Sequence, residues 1–233
     1  MVGGTDPSRK SGRHAVVFKR IAYKAREDHI ERATLGALAM KRVATLSLEE
    51  LTEPLAAEYL AMVEGFTAAD GEYPYNDAET ARQDFSTFIR DLRDEANGVD
   101  LPPDVVAQTT YVLLLDGERA LGEFRFRPLL PPPYRSNNGH VGYNVRPSER
   151  GKGYATRGLA LLCEEARELG LNGLSLAVDG NKPASVRVIE KNCGTLHHTV
   201  SDPQSGEPRS WYWIALLKAE GGTAANRLDA LSS

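Results

Sequence analysis

Cysteine is scarce: the 233 residues hold two, Cys163 and Cys193. No CxxC pair, HExxH helix or other metal-ligand spacing occurs, so neither a disulfide scaffold nor a metal site is expected. Both cysteines fall in segments with helical patterning, where buried free thiols are expected. Long apolar runs are missing as well. No stretch reaches the roughly 18 residues of a membrane helix, and the N-terminus has no apolar core followed by a small-residue cleavage site. The expectation is a cytoplasmic chain with no membrane partner. Phosphate motifs of fixed spelling are also absent. There is no Gly-Lys-Ser/Thr ending of a P-loop and no GxGxxG. No Ser-His-Asp or Cys-His pattern calls for a covalent intermediate.

What remains is an ordinary globular composition, 41% hydrophobic and 26% charged. Such a chain can bury a core without staples. Charge is spread unevenly. Residues 1–42 carry ten Lys and Arg against four Asp and Glu, and the rest of the chain is acidic enough to bring the net charge to −4. The basic arm has no Lys/Arg block longer than two and no nucleic-acid motif, so nucleic-acid binding is not expected. Met40-Lys41-Arg42 stands directly before the first orderly pattern and offers an alternative start. Residues 1–39 are therefore expected to be a poorly ordered extension, 40–218 the folded domain, and 219–233 a frayed tail.

Within the domain, Val43 to Leu48 suits a first strand. Leu55, Tyr59, Met62, Val63 and Phe66 recur at helical spacing, in a helix expected to end near Gly65. Asp70 to Tyr75 reads as a loop. Asp77 to Asn97 gives a second helix with Ala81, Phe85, Phe88, Ile89 and Leu92 inward. Thr109 to Leu115 and Arg119 to Arg127 flank Asp116-Gly117, a strong hairpin signal. His140 to Val145 is a strand, and Ser148 to Gly170 a loop feeding a helix. Leu174 to Val178, Pro183 to Asn192, Thr195 to Val200 and Trp211 to Leu216 follow as strand, helix and two late strands. The order implies an α+β, three-layer fold with a mixed, mostly antiparallel central sheet and flanking helices.

The feature that carries chemistry is Arg150-Gly151-Lys152-Gly153-Tyr154-Ala155, set between a strand and a helix. Glycines let backbone approach a ligand closely. The first amides of the helix lack partners and sit at the positive end of its dipole, which suits a phosphate or diphosphate. Arg150 and Lys152 add positive charge.

Arg150, Gly153 and Ala155 resemble the Q/R-x-x-G-x-G/A signature of GNAT N-acetyltransferases. The longer string Gly142 to Ala155 resembles that family's acetyl-CoA strand–loop–helix. Ala184 to Asn192 resembles its second coenzyme-side helix and Trp211 to Ile214 its last strand. The resemblance covers about residues 43–217. It implies the GNAT acyl-CoA N-acyltransferase fold, acetyl-CoA as co-substrate, no metal, and transfer of acetyl to an amine. Tyr143 and Val145, with Asn144 between them, would meet the pantetheine arm. Amides of Gly151, Gly153, Ala155 and Thr156 would hold the diphosphate beside Arg150, Lys152 and Tyr154. Asn181 and Ser185 would lie at the second helix. The family's Asn falls on Asn181 counting back from Ala184, but on Lys182 counting from Ser185. The position four after Ser185 is Ile189 and that four after Ala184 is Val188; neither can donate a proton, so the usual tyrosine acid is missing.

Two residues are candidate bases, His140 and Glu123. In this family the acceptor usually meets the first two helices, the loop between them and the late strands. That marks Asp70, Glu72, Tyr73 and Tyr75 as candidates for a cationic amine, whether small molecule or peptide. A homodimer is left open. The missing tyrosine also leaves open a coenzyme-binding sensor or regulatory module without turnover.

Overall fold

The computed structural model describes residues 21–23, 44–70, 78–103, 105–131, 139–180, 182–201 and 206–216. Two antiparallel sheets form its frame. The first runs β1 (Ile21–Tyr23), β2 (Leu46–Glu50), β3 (Thr109–Leu115), β4 (Arg119–Phe126), β5 (Val141–Val145). The second holds β6 (Gly173–Asp179), β7 (Thr195–Ser201) and β8 (Pro208–Ala215), with β8 in the middle. The α-helices are α1 (Ala56–Asp70), α2 (Ala78–Gln83), α3 (Phe85–Ala96), α4 (Tyr154–Glu168) and α5 (Pro183–Lys191).

The strand β3 reads as a continuous apolar run because both its faces are covered. Leu113 packs with Leu121, Phe124, Leu159, Leu162 and Leu176 on the face that carries α4 and α5. Val112 and Leu114 pack with Tyr59, Met62, Phe66 and Phe88 on the face that carries α1 to α3. The three layers expected from the element order follow from this alternation. Phe124 is completely buried, and its truncation to Ala is expected to cost about 3–5 kcal/mol. The β3–β4 hairpin turns at Asp116 (φ 55°) and Gly117 (φ 76°), the left-handed pair that matches strand twist.

Several boundaries differ from the sequence expectation, each for a local reason. α1 continues past Gly65 to Asp70, because Arg146 lies along the helix and donates to the Ala61 carbonyl (3.2 Å) and to Glu58 Oε1 (2.8 Å). The second helix is two, broken at Asp84. That carboxylate accepts from the Thr87 amide (3.0 Å) and hydroxyl (2.8 Å) and starts α3 as an N-cap. Ile21 to Tyr23 lies inside the segment expected to be a poorly ordered extension, yet it forms β1 and covers the free edge of β2. The rest of residues 1–39, and 219–233, lie outside the described residues. Cys163 is buried as expected, with its thiol pushed up to about 11 by desolvation. Cys193 is a correction. It stands exposed in the turn after α5, with φ 62°, where its amide closes a turn onto the Glu190 carbonyl (2.9 Å).

Candidate functional site

The expected central sheet is interrupted between β5 and β6, and the interruption makes a groove. The two strands touch at one end only. There the His140 amide donates to the Ser175 carbonyl (2.7 Å), and the Ser175 amide donates to His140 Nδ1 (2.9 Å). Beyond that junction no ladder joins them. Val141 to Asn144 face Leu176 to Asp179 across a cavity of about 380 Å³. β5 spends its other edge on β4, and β6 spends its other edge on β8. The inner edges therefore offer main-chain donors and acceptors to a guest that can lie between them like an added strand.

The groove runs on into a second cavity of about 490 Å³ at the start of α4. Its floor is built by the turn after β5. Pro147 to Glu149 make one 3₁₀ turn, then Gly151 (φ 77°) and Gly153 (φ 81°) take left-handed conformations that only glycine adopts without strain. A Cβ on either glycine would meet no protein atom within 4 Å, so packing does not explain them. Gly153 is the N-cap of α4, and the first turn closes from the Arg157 amide to the Gly153 carbonyl (3.2 Å). The amides of Tyr154, Ala155 and Thr156 are thus left without intrahelical acceptors, at the positive end of the helix. This arrangement fits the diphosphate of a coenzyme. Tyr143 lines both cavities. It stacks on Phe124 (centroids 5.5 Å apart) and donates its hydroxyl to the Ser185 carbonyl (3.3 Å), so its side chain bridges the groove to α5.

The two loop cations are already paired. Arg150 donates to Asp70 Oδ1 (3.1 Å) and Oδ2 (2.5 Å), and its Nε donates to the Val145 carbonyl (3.1 Å). Asp70, expected on the acceptor side, is placed here against the coenzyme loop. The Arg150 hydrogen bonds hold its carboxyl below the usual carboxylate range. Lys152 donates to Glu149 Oε2 (2.9 Å), and Arg119 binds the other oxygen of the same carboxylate. Glu149 is only 4% exposed, and its carboxyl is held low first by the Lys152 hydrogen bond and then by the Arg119 charge. The loop's fixed backbone, more than free side-chain charge, is what it presents.

Three residues escaped the sequence reading. Arg187 and Lys191, one turn apart on α5, add cations to the wall of the larger coenzyme cavity. Asn192 donates to the carbonyls of Thr156 (3.1 Å) and Val188 (2.9 Å) and so ties α5 to the first turn of α4. The i, i+4 pair of cations was visible as a pattern; the Asn192 clamp depends on tertiary contact and had no sequence signal.

The base candidates occupy different places. Glu123 is fully buried on β4, opposite Asn144 of β5, and its Oε2 accepts the Tyr59 hydroxyl (2.9 Å). His140 sits at the closed end of the groove in the junction with Ser175. Asn144 and Ser185 line both cavities, and Val145, Tyr154, Ala155 and Thr156 line the larger one. Glu72, Tyr73, Tyr75 and Asn181 lie outside the described residues. Among the described residues no three His, Cys, Asp or Glu converge on a metal position, and no helix is long and apolar enough to cross a membrane.

Comparison with known proteins agrees with this geometry. The acetyltransferase (GNAT) family model matches residues 69–195, which spans the groove, the glycine loop and α5. The chain belongs to the GNAT acetyltransferase family, whose members are acetyl-CoA-dependent enzymes. No curated protein matches the sequence significantly. Solved structures share the fold at low identity. RimJ of Mycobacterium smegmatis, in complex with a coenzyme A disulfide, is 18% identical with a TM-score of 0.57, covering 80% of this chain and 88% of its own. The ribosomal L7/L12 α-N-protein acetyltransferase RimL, in complex with coenzyme A, is 17% identical with a TM-score of 0.54, covering 73% and 93%. The microcin C7 self-immunity acetyltransferase MccE, in complex with acetyl-CoA and AMP, is 12% identical with a TM-score of 0.53, covering 73% and 92%.

Proposed function

We propose that the protein moves the acetyl group of acetyl-CoA onto a primary amine by direct attack within a ternary complex. The observation that carries this reading is the groove between β5 and β6, which opens onto the glycine-bounded N-terminus of α4. A coenzyme held by its diphosphate at Gly153 to Thr156 lays its pantetheine arm along Tyr143 to Val145. The thioester then reaches the closed end of the groove, near Val141 and Leu176. Main-chain amides of the splayed strands polarise its carbonyl as negative charge develops. Solved proteins of this fold include acetyltransferases for a ribosomal protein N-terminus, an aminoglycoside and spermidine. This supports an amine acceptor without choosing one.

The amine loses a proton during attack, and Glu123 suits that task better than His140. His140 Nδ1 already accepts the Ser175 amide. A neutral ring in that tautomer carries its proton on Nε2 and has no lone pair to spare. Glu123 is a carboxylate one strand from the groove, held in place by Tyr59. Its surface is closed, so the proton reaches it through a water relay. The leaving thiolate takes its proton from solvent, since neither Val188 nor Ile189, the two positions where the family's tyrosine acid could fall, can donate one.

The test is steady-state release of free thiol by the full chain, with acetyl-CoA and a panel of amines. Turnover with double-reciprocal lines that intersect is expected for a ternary complex. Parallel lines would replace direct attack by a covalent intermediate. Tight coenzyme binding with no turnover on any amine would favour the sensor.

A further inference from the structure

A cavity of about 890 Å³ lies outside the coenzyme groove. It has the size of a small-molecule site. One wall is the outer face of the second sheet. Along β8, Tyr212 and Ile214 turn into the core, so Trp211 and Trp213 share the opposite face. They are the only two tryptophans of the chain. The Trp213 indole lies flat against β6 at Gly173, where any Cβ would collide with the ring. The His198 ring stacks on Trp211, with centroids 4.9 Å apart and planes 5° from parallel. The facing wall is apolar and comes from Pro128 to Pro131 and from Val106 and Ala107. Leu129 is 78% exposed and Trp213 37% exposed. Apolar surface of this kind, gathered around a concavity, marks a binding site.

Two further facts say what the site takes. No carboxylate lines it among the described residues, so a polycation gains no counter-charge there. And the cavity abuts the junction that closes the coenzyme groove. His140 and Ser175 line it, and the same two residues close the groove. About one residue step along a strand, ~3.3 Å, separates that junction from Val141 and Leu176, where the thioester is placed.

We propose that this cavity holds the body of the acceptor, and that the acceptor is an amine tethered to a flat aromatic group. The ring lies among the indoles and prolines, and the amine points past the His140–Ser175 junction toward the thioester. The assignment rests on the acetyl-transfer reading for its meaning, but the site is testable alone.

Because both tryptophans line the cavity, intrinsic indole fluorescence of the full chain reports on it directly. Without acetyl-CoA, phenethylamine is expected to give a saturable change in emission, and spermidine at matched ionic strength none. In turnover, Trp213→Ala is expected to raise the KM for phenethylamine about tenfold, with kcat and acetyl-CoA affinity nearly unchanged. Leu129→Ser, at an exposed position where folding is not at stake, is expected to raise it by about threefold. Absence of saturation, an equal response to spermidine, or an unchanged KM in both variants overturns the proposal. The two readings fail separately. Turnover of spermidine with no phenethylamine signal removes this site and leaves acetyl transfer standing. Saturation by phenethylamine in a chain that binds no acetyl-CoA removes acetyl transfer and leaves the cavity an amine site.

Discussion

Substituting Gly153 by Asp and by Asn separates charge from shape at the diphosphate cavity. Both side chains tolerate left-handed backbone better than most, so the strain at φ 81° is similar and about 1 kcal/mol. Neither Cβ meets a protein atom within 4 Å, so both variants are expected to fold. They differ in one charge. At about 5 Å from a phosphate, a carboxylate is repelled by ~0.8 kcal/mol per charge in bulk water and ~3.3 kcal/mol at an effective dielectric of about 20. Gly153 is exposed, so the lower part of that range applies. Summed over the two phosphate charges, the penalty is about 1.5–3 kcal/mol. Calorimetry with acetyl-CoA at low salt is therefore expected to show the Gly153→Asp variant binding about 10- to 100-fold more weakly than the Gly153→Asn variant. The ratio is expected to shrink as salt screens the cavity. Two folded variants with equal affinities would refute the placement of a diphosphate against this helix.

Three other substitutions or treatments probe the surroundings of the loop. Glu149→Gln leaves Arg119 and Lys152 around a neutral amide and is expected to destabilise by about 1–3 kcal/mol at neutral pH, read from urea unfolding. Because its hydrogen bond to Lys152 lowers the folded pKa, that contribution is complete above the ordinary carboxylate value. It is lost as pH falls through the depressed one, so the gap to the parent closes below about pH 4. Asp70→Asn removes the charge that neutralises Arg150, while the Val145 carbonyl still holds the guanidinium. The KM for acetyl-CoA is expected to fall about two- to fourfold at low salt, with no change at high salt; a rise would mean that Asp70 positions the arginine instead. A thiol reagent is expected to label one cysteine, Cys193, in the native state and Cys163 only after unfolding, counted by mass.

The coenzyme loop was legible because its signals are local. Glycines at 151 and 153, a strand pattern before them and a helical stripe after them place unpaired amides at one point whatever the rest of the chain does. The helices and most strands were legible for the same reason, since periodicity reports which face is buried. What was hidden depends on partners distant in sequence. Nothing local says that β5 and β6 join through His140 and Ser175 and then part. Asp70 and Arg150 are eighty residues apart, and an acid in a loop reads as a ligand for an incoming cation until its own cation is seen. Asp84 reads as one more polar residue in a long helical pattern until its bonds to Thr87 show a cap. The two tryptophans read as strand residues, because alternation says which face they share but not that the face is left open over a cavity.

A crystal structure of the chain with bound acetyl-CoA tests the main claim most directly. Diphosphate oxygens are expected about 3 Å from the amides of Gly153 to Thr156, with the pantetheine lying between β5 and β6. Coenzyme bound elsewhere, with that helix start empty and the groove closed, would contradict it.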